Sequence, residues 1–310
     1  MSDTNSNSPL FSIVIPCYNR GELLHRALLS CVRQSYAGFE AIVVDDGSTE
    51  CIKEVVGSID DSRIRYFRQT NAGSSAARNT GMALSKGNWI SFLDSDDYFY
   101  PGKLDKIRSV IAATDADLIV SRAKQNRISG VPWQIPEQIL GCDEVLTEFM
   151  FSRYQVIPTS TFVVRRSVAL KIKFDDTLSI GEDIDYIVRL AGARKKIFMI
   201  PDVLVVYDDS ETDGRLSRGG HGLEIEDWLE KNRRYFSNKG YYGFRATYLS
   251  KHLGRIRPVK TLIDLCMGYI KGGVSLRLLI RRAVRAYTPQ FYNSLVIIFL
   301  KMDALLKAGK

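Results

Sequence analysis

Apolar and polar positions in the first 120 residues switch repeatedly between two patterns. Residues 11–16 (FSIVIP) form an apolar run ended by Pro16, as expected of a strand covered on both faces of a parallel sheet. Leu23, Leu24, Ala27, Leu28, Cys31 and Val32 then recur at three- and four-residue spacing, which predicts an amphipathic helix. The exchange repeats downstream, with strands at 41–44, 64–67, 89–93 and 118–120 and helices at 52–59, 75–84 and 101–113. This alternation predicts right-handed crossovers and a doubly wound α/β sheet. In such sheets ligands sit outside the carboxyl ends of the strands. Three of those ends carry polar clusters: Cys17-Tyr18-Asn19, Asp45-Asp46-Gly47-Ser48 and Asp94-Ser95-Asp96-Asp97.

Beyond Arg127 the alternation fades. Residues 129–136 read as a loop, 161–165 as a strand, 182–190 as a helix, and 197–207 as one or two strands broken at Pro201-Asp202. Residues 208–222 are polar, glycine-rich and without periodicity, so a mobile loop is expected there. The chain then reads as helical. These boundaries divide it into a loose tail (1–9), a main domain with halves at 10–127 and 128–222, and a helical C-terminal region (223–310).

Composition removes several classes. With 310 residues, 45% hydrophobic and 25% charged, the chain is neither disordered nor collagen-like. Its five scattered cysteines include no C-x-x-C pair, so neither a disulfide framework nor a zinc site is expected. Residues 1–9 are polar and do not read as a signal peptide. No apolar stretch approaches the ~20 residues of a spanning helix; a cytoplasmic setting is the expectation. The charge is uneven: residues 231–310 hold 17 Lys+Arg against 2 Asp+Glu, whereas 1–230 carry a net −7. A strongly basic tail on an acidic body predicts an anionic partner for the tail. In 274–287, Arg277, Arg281, Arg282 and Arg285 share a helix with Leu276, Leu279, Ile280, Ala283, Val284 and Tyr287. A second stripe runs from Phe291 to Leu306. Together they predict helices lying peripherally on an anionic membrane; helices packed on the main domain, with a solvated basic face, are the alternative. Nucleic acid is not expected as a partner, because the clustered acids at the strand ends would repel a polyanion.

The candidate chemistry lies in the polar clusters. Asp94-Ser95-Asp96-Asp97 offers hard oxygen ligands suited to Mg²⁺ or Mn²⁺, or else an acidic turn in which Asp97 caps the next helix. Asp45 and Asp46 can accept hydrogen bonds from a base or ribose, or cap a turn. Residues 71–81 (NAGSSAARNTG) open a helix whose N–H groups and Arg78 face an anion, or are small for close packing. Glu182, Asp183 and Asp185 crowd a helix start beyond what capping needs. His221, in the expected loop, is a candidate metal or substrate contact. No G-x-G-x-x-G, Walker A, H-E-x-x-H or G-x-S-x-G motif is present.

In this order, SIVIPCYNR (12–20), VVDDGSTE (43–50), NAGSSAARNTGM (71–82), FLDSDDYFYP (92–101) and GEDIDYIVRL (181–190) resemble the signature of family 2 glycosyltransferases with the GT-A fold. The resemblance covers about 10–207. It implies a GT-A-like mixed sheet with a Rossmann-like nucleotide-binding half and an acceptor half. It also implies an inverting, metal-dependent transfer of sugar from a nucleotide sugar, a UDP-sugar by expectation, to a glycan or lipid-linked oligosaccharide of the bacterial surface. By the same resemblance Pro16, Tyr18, Asp45, Asp46, Arg78, Asp94 and Ser95 bind the nucleotide sugar, and Asp96 with Asp94 binds Mn²⁺ or Mg²⁺. Asp183 is then the catalytic base, with Glu182 its neighbour. An Asp of ordinary pKa is a weak base toward an alcohol, so positioning is expected to matter more than a shifted pKa. Where the family often carries a basic residue after the Tyr of the last strand, this chain has Tyr207-Asp208-Asp209. A nucleotide-sugar-binding protein without transfer activity and a basic nucleic-acid-binding protein are the competing readings.

Overall fold

A computed structural model describes residues 9–127, 133–209 and 222–288. The expected tail at 1–8, His221 and the stripe from Phe291 to Leu306 lie outside the described residues. The chain divides into two compact units, 1–125 with 134–139 and 157–208, and 126–133 with 140–156 and 209–310.

The first unit is built on a mixed sheet. Its strands are β1 (Phe11–Cys17), β2 (Phe39–Asp45), β3 (Ile64–Arg68), β4 (Trp89–Phe92), β5 (Tyr98–Phe99), β6 (Leu118–Arg127), β7 (Trp133–Ile135), β8 (Phe162–Arg165) and β9 (Ile197–Asp209). They run in the order β3-β2-β1-β4-β8-β6-β9-β5, with β7 beside β6. β1 pairs in parallel with β2 and β4, and β2 with β3; β8 is antiparallel to both β4 and β6. Every residue of β1 and β2 is buried, the consequence of helices covering both faces. Those helices are α1 (Gly21–Val32), α2 (Ile52–Gly57), α3 (Gly73–Leu84), α4 (Lys103–Ala113), α5 (Arg166–Lys171) and α6 (Glu182–Gly192). α3 lies so close to β1 that a Cβ on Gly81 would meet Val14 Cγ1 at 2.3 Å. The doubly wound α/β expectation therefore holds.

Three local expectations give way. Trp133–Ile135, read as loop, is strand β7. Pro201 does not break β9, which is continuous. β5 pairs only with Val205 and Val206, so the missing N–H of Pro201 costs no bond to β5. Asp208, placed in the mobile loop, is buried in β9, where its N–H donates to Asp97 Oδ1 at 3.0 Å.

The second unit is helical: α7 (Gly222–Lys231), α8 (Asn238–Phe244), α9 (Ser250–Leu253), α10 (Pro258–Ile270) and α11 (Leu276–Tyr287). Phe151, Phe236, Phe244 and Trp228 pack ring on ring at 4.7–6.0 Å. Buried Arg245 ties the helices together through Glu226 (2.9 Å) and Asp264 (2.8 Å). Arg282, expected at a membrane surface, is instead buried; it donates to Thr247 O and lies 4.4 Å over the Tyr154 ring. Its guanidinium shares the neighbourhood of Tyr154 with Arg285, whose Nη1 is 3.4 Å from Tyr154 Oη. Arg277 and Arg281 are exposed.

Candidate active site

The carboxyl ends of β1, β2 and β4 converge in the first unit, and the hydrogen bonds there show which polar residues are spent on the fold. Asp45 is wholly buried. It accepts from Ser48 N (2.8 Å) and Tyr66 Oη (2.7 Å), which hold its carboxyl below the ordinary range against the opposing effect of burial. It therefore shapes the turn after β2 and is not placed to read a base or ribose. Asp46 is also engaged internally, accepting from Gln69 Nε2, Ala72 N and Gly73 N at 2.8–2.9 Å. The N–H groups at the start of α3, expected to face a ligand anion, thus face the Asp46 carboxylate. Asn19, left-handed at φ 51°, receives Thr49 N at 2.7 Å and locks the first cluster to the second. Pro16 is buried in β1 while Tyr18 stands 49% exposed, its ring available for stacking.

The center of the arrangement is Arg78, on α3 and nearly buried. Its Nη2 donates to Asp94 Oδ1 at 2.7 Å and its Nη1 to Glu182 Oε1 at 3.2 Å, with the guanidinium 5.2 Å from the Phe174 ring. Ser74 Oγ also donates to Glu182 Oε1, at 3.0 Å. One cation thereby joins the strand-end acids to the acidic start of α6. Helix α6 begins after Gly181 in the left-handed region (φ 77°) and is anchored by buried Tyr186, which stacks on Phe174 at 4.1 Å.

Asp183 sits in that first turn and accepts from Ile184 N at 2.8 Å. Burial foremost, and then the neighbouring Glu182 carboxylate, push its pKa up to about 7. This corrects the expectation of an ordinary aspartate, since the first-turn backbone and Arg78 only partly offset those two effects. A carboxylate titrating near neutrality is suited to general-base work.

In the other acidic cluster, Asp96 Oδ2 accepts from Arg20 Nη1 at 2.7 Å and Asp96 O from Arg26 Nη2 at 2.6 Å. Ser95 is buried. Asp97 does not cap a helix, because α4 starts only at Lys103. It is fully buried, accepts from Ser160 Oγ, and is driven well above the carboxylate range by burial and by the charges of Asp96 and Asp94. Ser160 in turn accepts Asp94 N at 3.0 Å, so Asp97 and Ser160 fix the strand-end turn from beneath. Asp208 pairs with Arg26 at 2.9 Å, which accounts for an acid where the family often has a base. Arg20, Arg26 and Ser160 had no assigned role in the sequence, and Asp97 was expected only as a helix cap. Arg20 and Asp97, inside the first and fourth motifs, carried a signal.

Among the described residues no three His, Cys, Asp or Glu side chains are grouped to hold a metal ion. Asp94 and Asp96 nevertheless supply two hard carboxylates, with side chains 25% and 21% exposed. That donor set fits Mg²⁺ or Mn²⁺ completed by phosphate oxygens and water.

A mixed sheet whose strand β4 runs into Asp94-Ser95-Asp96, with an acidic helix start joined to it by Arg78, forms the candidate site of a glycosyltransferase of the GT-A fold. The chain belongs to glycosyl transferase family 2, whose signature it matches over residues 12–172. It is 29% identical to the amylovoran biosynthesis glycosyltransferase AmsB of Erwinia amylovora over 246 residues, 76% of this chain and 82% of AmsB. Among solved structures it resembles Staphylococcus aureus TarS bound to UDP-GlcNAc (TM-score 0.58, 18% identity, 90% of this chain and 74% of that one). It also resembles the mannosyltransferase PcManGT of Pyrobaculum calidifontis with GDP-Man and Mn²⁺ (TM-score 0.57, 16% identity, 97% and 87%).

Proposed function

We propose that this glycosyltransferase moves a sugar from a nucleotide sugar, a UDP-sugar, to a hydroxyl of a glycan or lipid-linked glycan in bacterial surface-polysaccharide synthesis. Transfer proceeds by single displacement with inversion, at the inner face of the cytoplasmic membrane. The observation that carries the reading is Asp183, raised to about 7 beside Glu182, which Arg78 links to Asp94. In single displacement the acceptor hydroxyl loses its proton as it attacks the anomeric carbon, and the nucleoside diphosphate leaves from the opposite face. Asp183 takes that proton. Tyr18 stacks on the base; Arg78 holds Asp94 and Glu182 in place and adds positive charge where negative charge accumulates. A divalent cation, held by Asp94 and Asp96, would offset charge on the leaving diphosphate. The names of AmsB, TarS and PcManGT support a polysaccharide context, a nucleotide-sugar donor and Mn²⁺, respectively.

The test is a panel of UDP-, GDP- and dTDP-sugars screened by thermal shift with and without Mn²⁺, followed by NMR of the product. A donor at 100 times its Kd stabilises the fold by about 2.7 kcal/mol. A product that keeps the donor's anomeric configuration would rule out single displacement.

A further inference from the structure

Helix α10 leaves one apolar face uncovered. Val259, Leu262, Ile263, Cys266, Tyr269 and Ile270 are all exposed, Val259 and Ile270 by 73% and 69%. Their spacing of three and four residues places them on one side of the helix. The opposite side, with Thr261, Asp264, Leu265 and Gly268, is buried in the second unit. Isolated apolar residues at a surface need no explanation, but a continuous stripe marks an interaction site. Exposed Leu276 and Ile280 of α11 add to the uncovered apolar surface of this unit.

The charges around the stripe identify its partner. Lys251, Arg255, Arg257, Lys271, Arg277 and Arg281 are exposed, while the one acid between 251 and 288, Asp264, is buried against Arg245. The acidic helix α7 reaches α10 through Glu226 and Lys260, and Lys260 lies on a flank outside the stripe. A second copy of the chain would bring the same cations against this surface and be repelled. Acyl chains capped by anionic headgroups match both of its features. No helix among the described residues is long and apolar enough to cross a membrane.

We infer that α10, with the adjoining end of α11, is an interfacial anchor that lays Leu262, Ile263, Tyr269 and Ile270 into the headgroup boundary of an anionic membrane. The inference deepens the membrane-held acceptor reading given above. It relocates the contact from the arginines of α11 to the apolar face of α10, with Arg255, Lys271 and Arg277 as its electrostatic rim. α11 alone does not provide the surface, since its Arg282 is buried.

The test uses the full chain without donor or acceptor, so its outcome is independent of transferase activity. Vesicles of phosphatidylcholine alone, and of phosphatidylcholine with phosphatidylglycerol, are sedimented with wild type, with Ile263→Ser/Ile270→Ser, and with Arg277→Gln. We expect binding to anionic vesicles only, a fall of at least about tenfold for the double serine variant, and about fivefold for Arg277→Gln. Circular dichroism and unfolding temperature confirm that the variants fold. Ile270→Trp, which keeps the face apolar, supplies a second readout: its fluorescence should be quenched by brominated lipid in anionic vesicles. Equal binding by the double serine variant, absence of quenching, or a concentration-dependent dimer abolished by Ile263→Ser would each overturn the inference. Vesicle binding that persists in a chain without measurable transfer would refute the proposed activity and leave the anchor standing.

Discussion

Replacing Asp183 with Asn removes a negative charge that the fold holds at a cost. The free-chain carboxyl titrates near 3.8 and the folded one near 7, because burial and Glu182 disfavour the charge. A folded pKa raised above the unfolded value means that the folded state binds the proton more tightly. The group's contribution to stability is therefore lost as pH rises from the unfolded to the folded value, and is constant above about 7. At 1.36 kcal/mol per unit, the raised pKa costs up to about 4 kcal/mol at pH 8, where the folded carboxyl is ionised, and about 1.6 kcal/mol at pH 5, where it keeps a proton the unfolded chain would release. Asn keeps an amide oxygen to accept from Ile184 N and carries no charge. Asp183→Asn should accordingly unfold at a higher temperature or denaturant concentration than wild type, with a gain at pH 8 larger by about 2–3 kcal/mol than at pH 5. Transfer should be lost at every pH while nucleotide-sugar affinity stays within a few-fold. For the wild type, kcat/KM should rise with pH and level off above about 7. Urea melts of both proteins across pH 5–9, with initial rates on the same samples, test both halves. An equal stability gain at pH 5 and pH 8, or a flat rate profile with full activity in the Asn variant, would refute the assignment of Asp183 as a strained base.

Three further outcomes follow from the same structure. Asp96→Ala should abolish the Mn²⁺-dependent part of nucleotide-sugar binding in calorimetry; unchanged Mn²⁺ dependence would remove Asp96 from the metal site. Arg78→Met should cost stability by about 3–5 kcal/mol, since it leaves Asp94 and Glu182 without their shared buried partner, and a urea midpoint within error of wild type would contradict the bridge. Tyr154 should ionise near neutrality, because Arg282, Arg285 and Lys251 outweigh the burial that opposes charge and lower its pKa to about 7. A depressed folded pKa adds stability as pH rises above 7 toward the unfolded value, so Tyr154→Phe should be more destabilising at pH 9 than at pH 6 by about 2–3 kcal/mol. Absorbance at 295 nm that increases only above pH 9 would refute this.

What the sequence could and could not reveal follows from how local each cause is. Strands β1 and β2 were legible because burial on both faces leaves an apolar run that nothing else explains. The strand-end acids were legible because charged clusters are costly there unless used. The state of those acids was not, since it depends on partners far along the chain: Asp45 on Tyr66, Asp94 on Arg78, and Asp97 on Ser160 and Asp208. Arg282 was misread for a related reason. Residues 276–287 place basic and apolar positions on interleaved faces, and the contacts of Arg282 with Tyr154 and Thr247 decide which face turns inward. α10 was passed over because 261–270 (TLIDLCMGYI) is apolar nearly all round. Its periodicity alone does not distinguish the buried from the exposed side.

The charge balance at the site ties these observations to the reaction. Asp94 and Glu182 share Arg78, and Asp96 has Arg20, so the strand-end and first-turn acids are largely neutralised by arginines. Among the described residues Asp183 makes no ion pair with an arginine, and it is the acid whose pKa rises to about 7. In the proposed reading, Asp94 and Asp96 would hold the divalent cation that offsets charge on the leaving diphosphate, beside the arginines that already pair with them. Asp183 stands outside these arginine pairs, so its charge is governed by burial and by Glu182. The aspartate should thus remain basic enough to accept a proton when the donor is bound, and the arginine bridge is what keeps the two acidic groups electrically distinct.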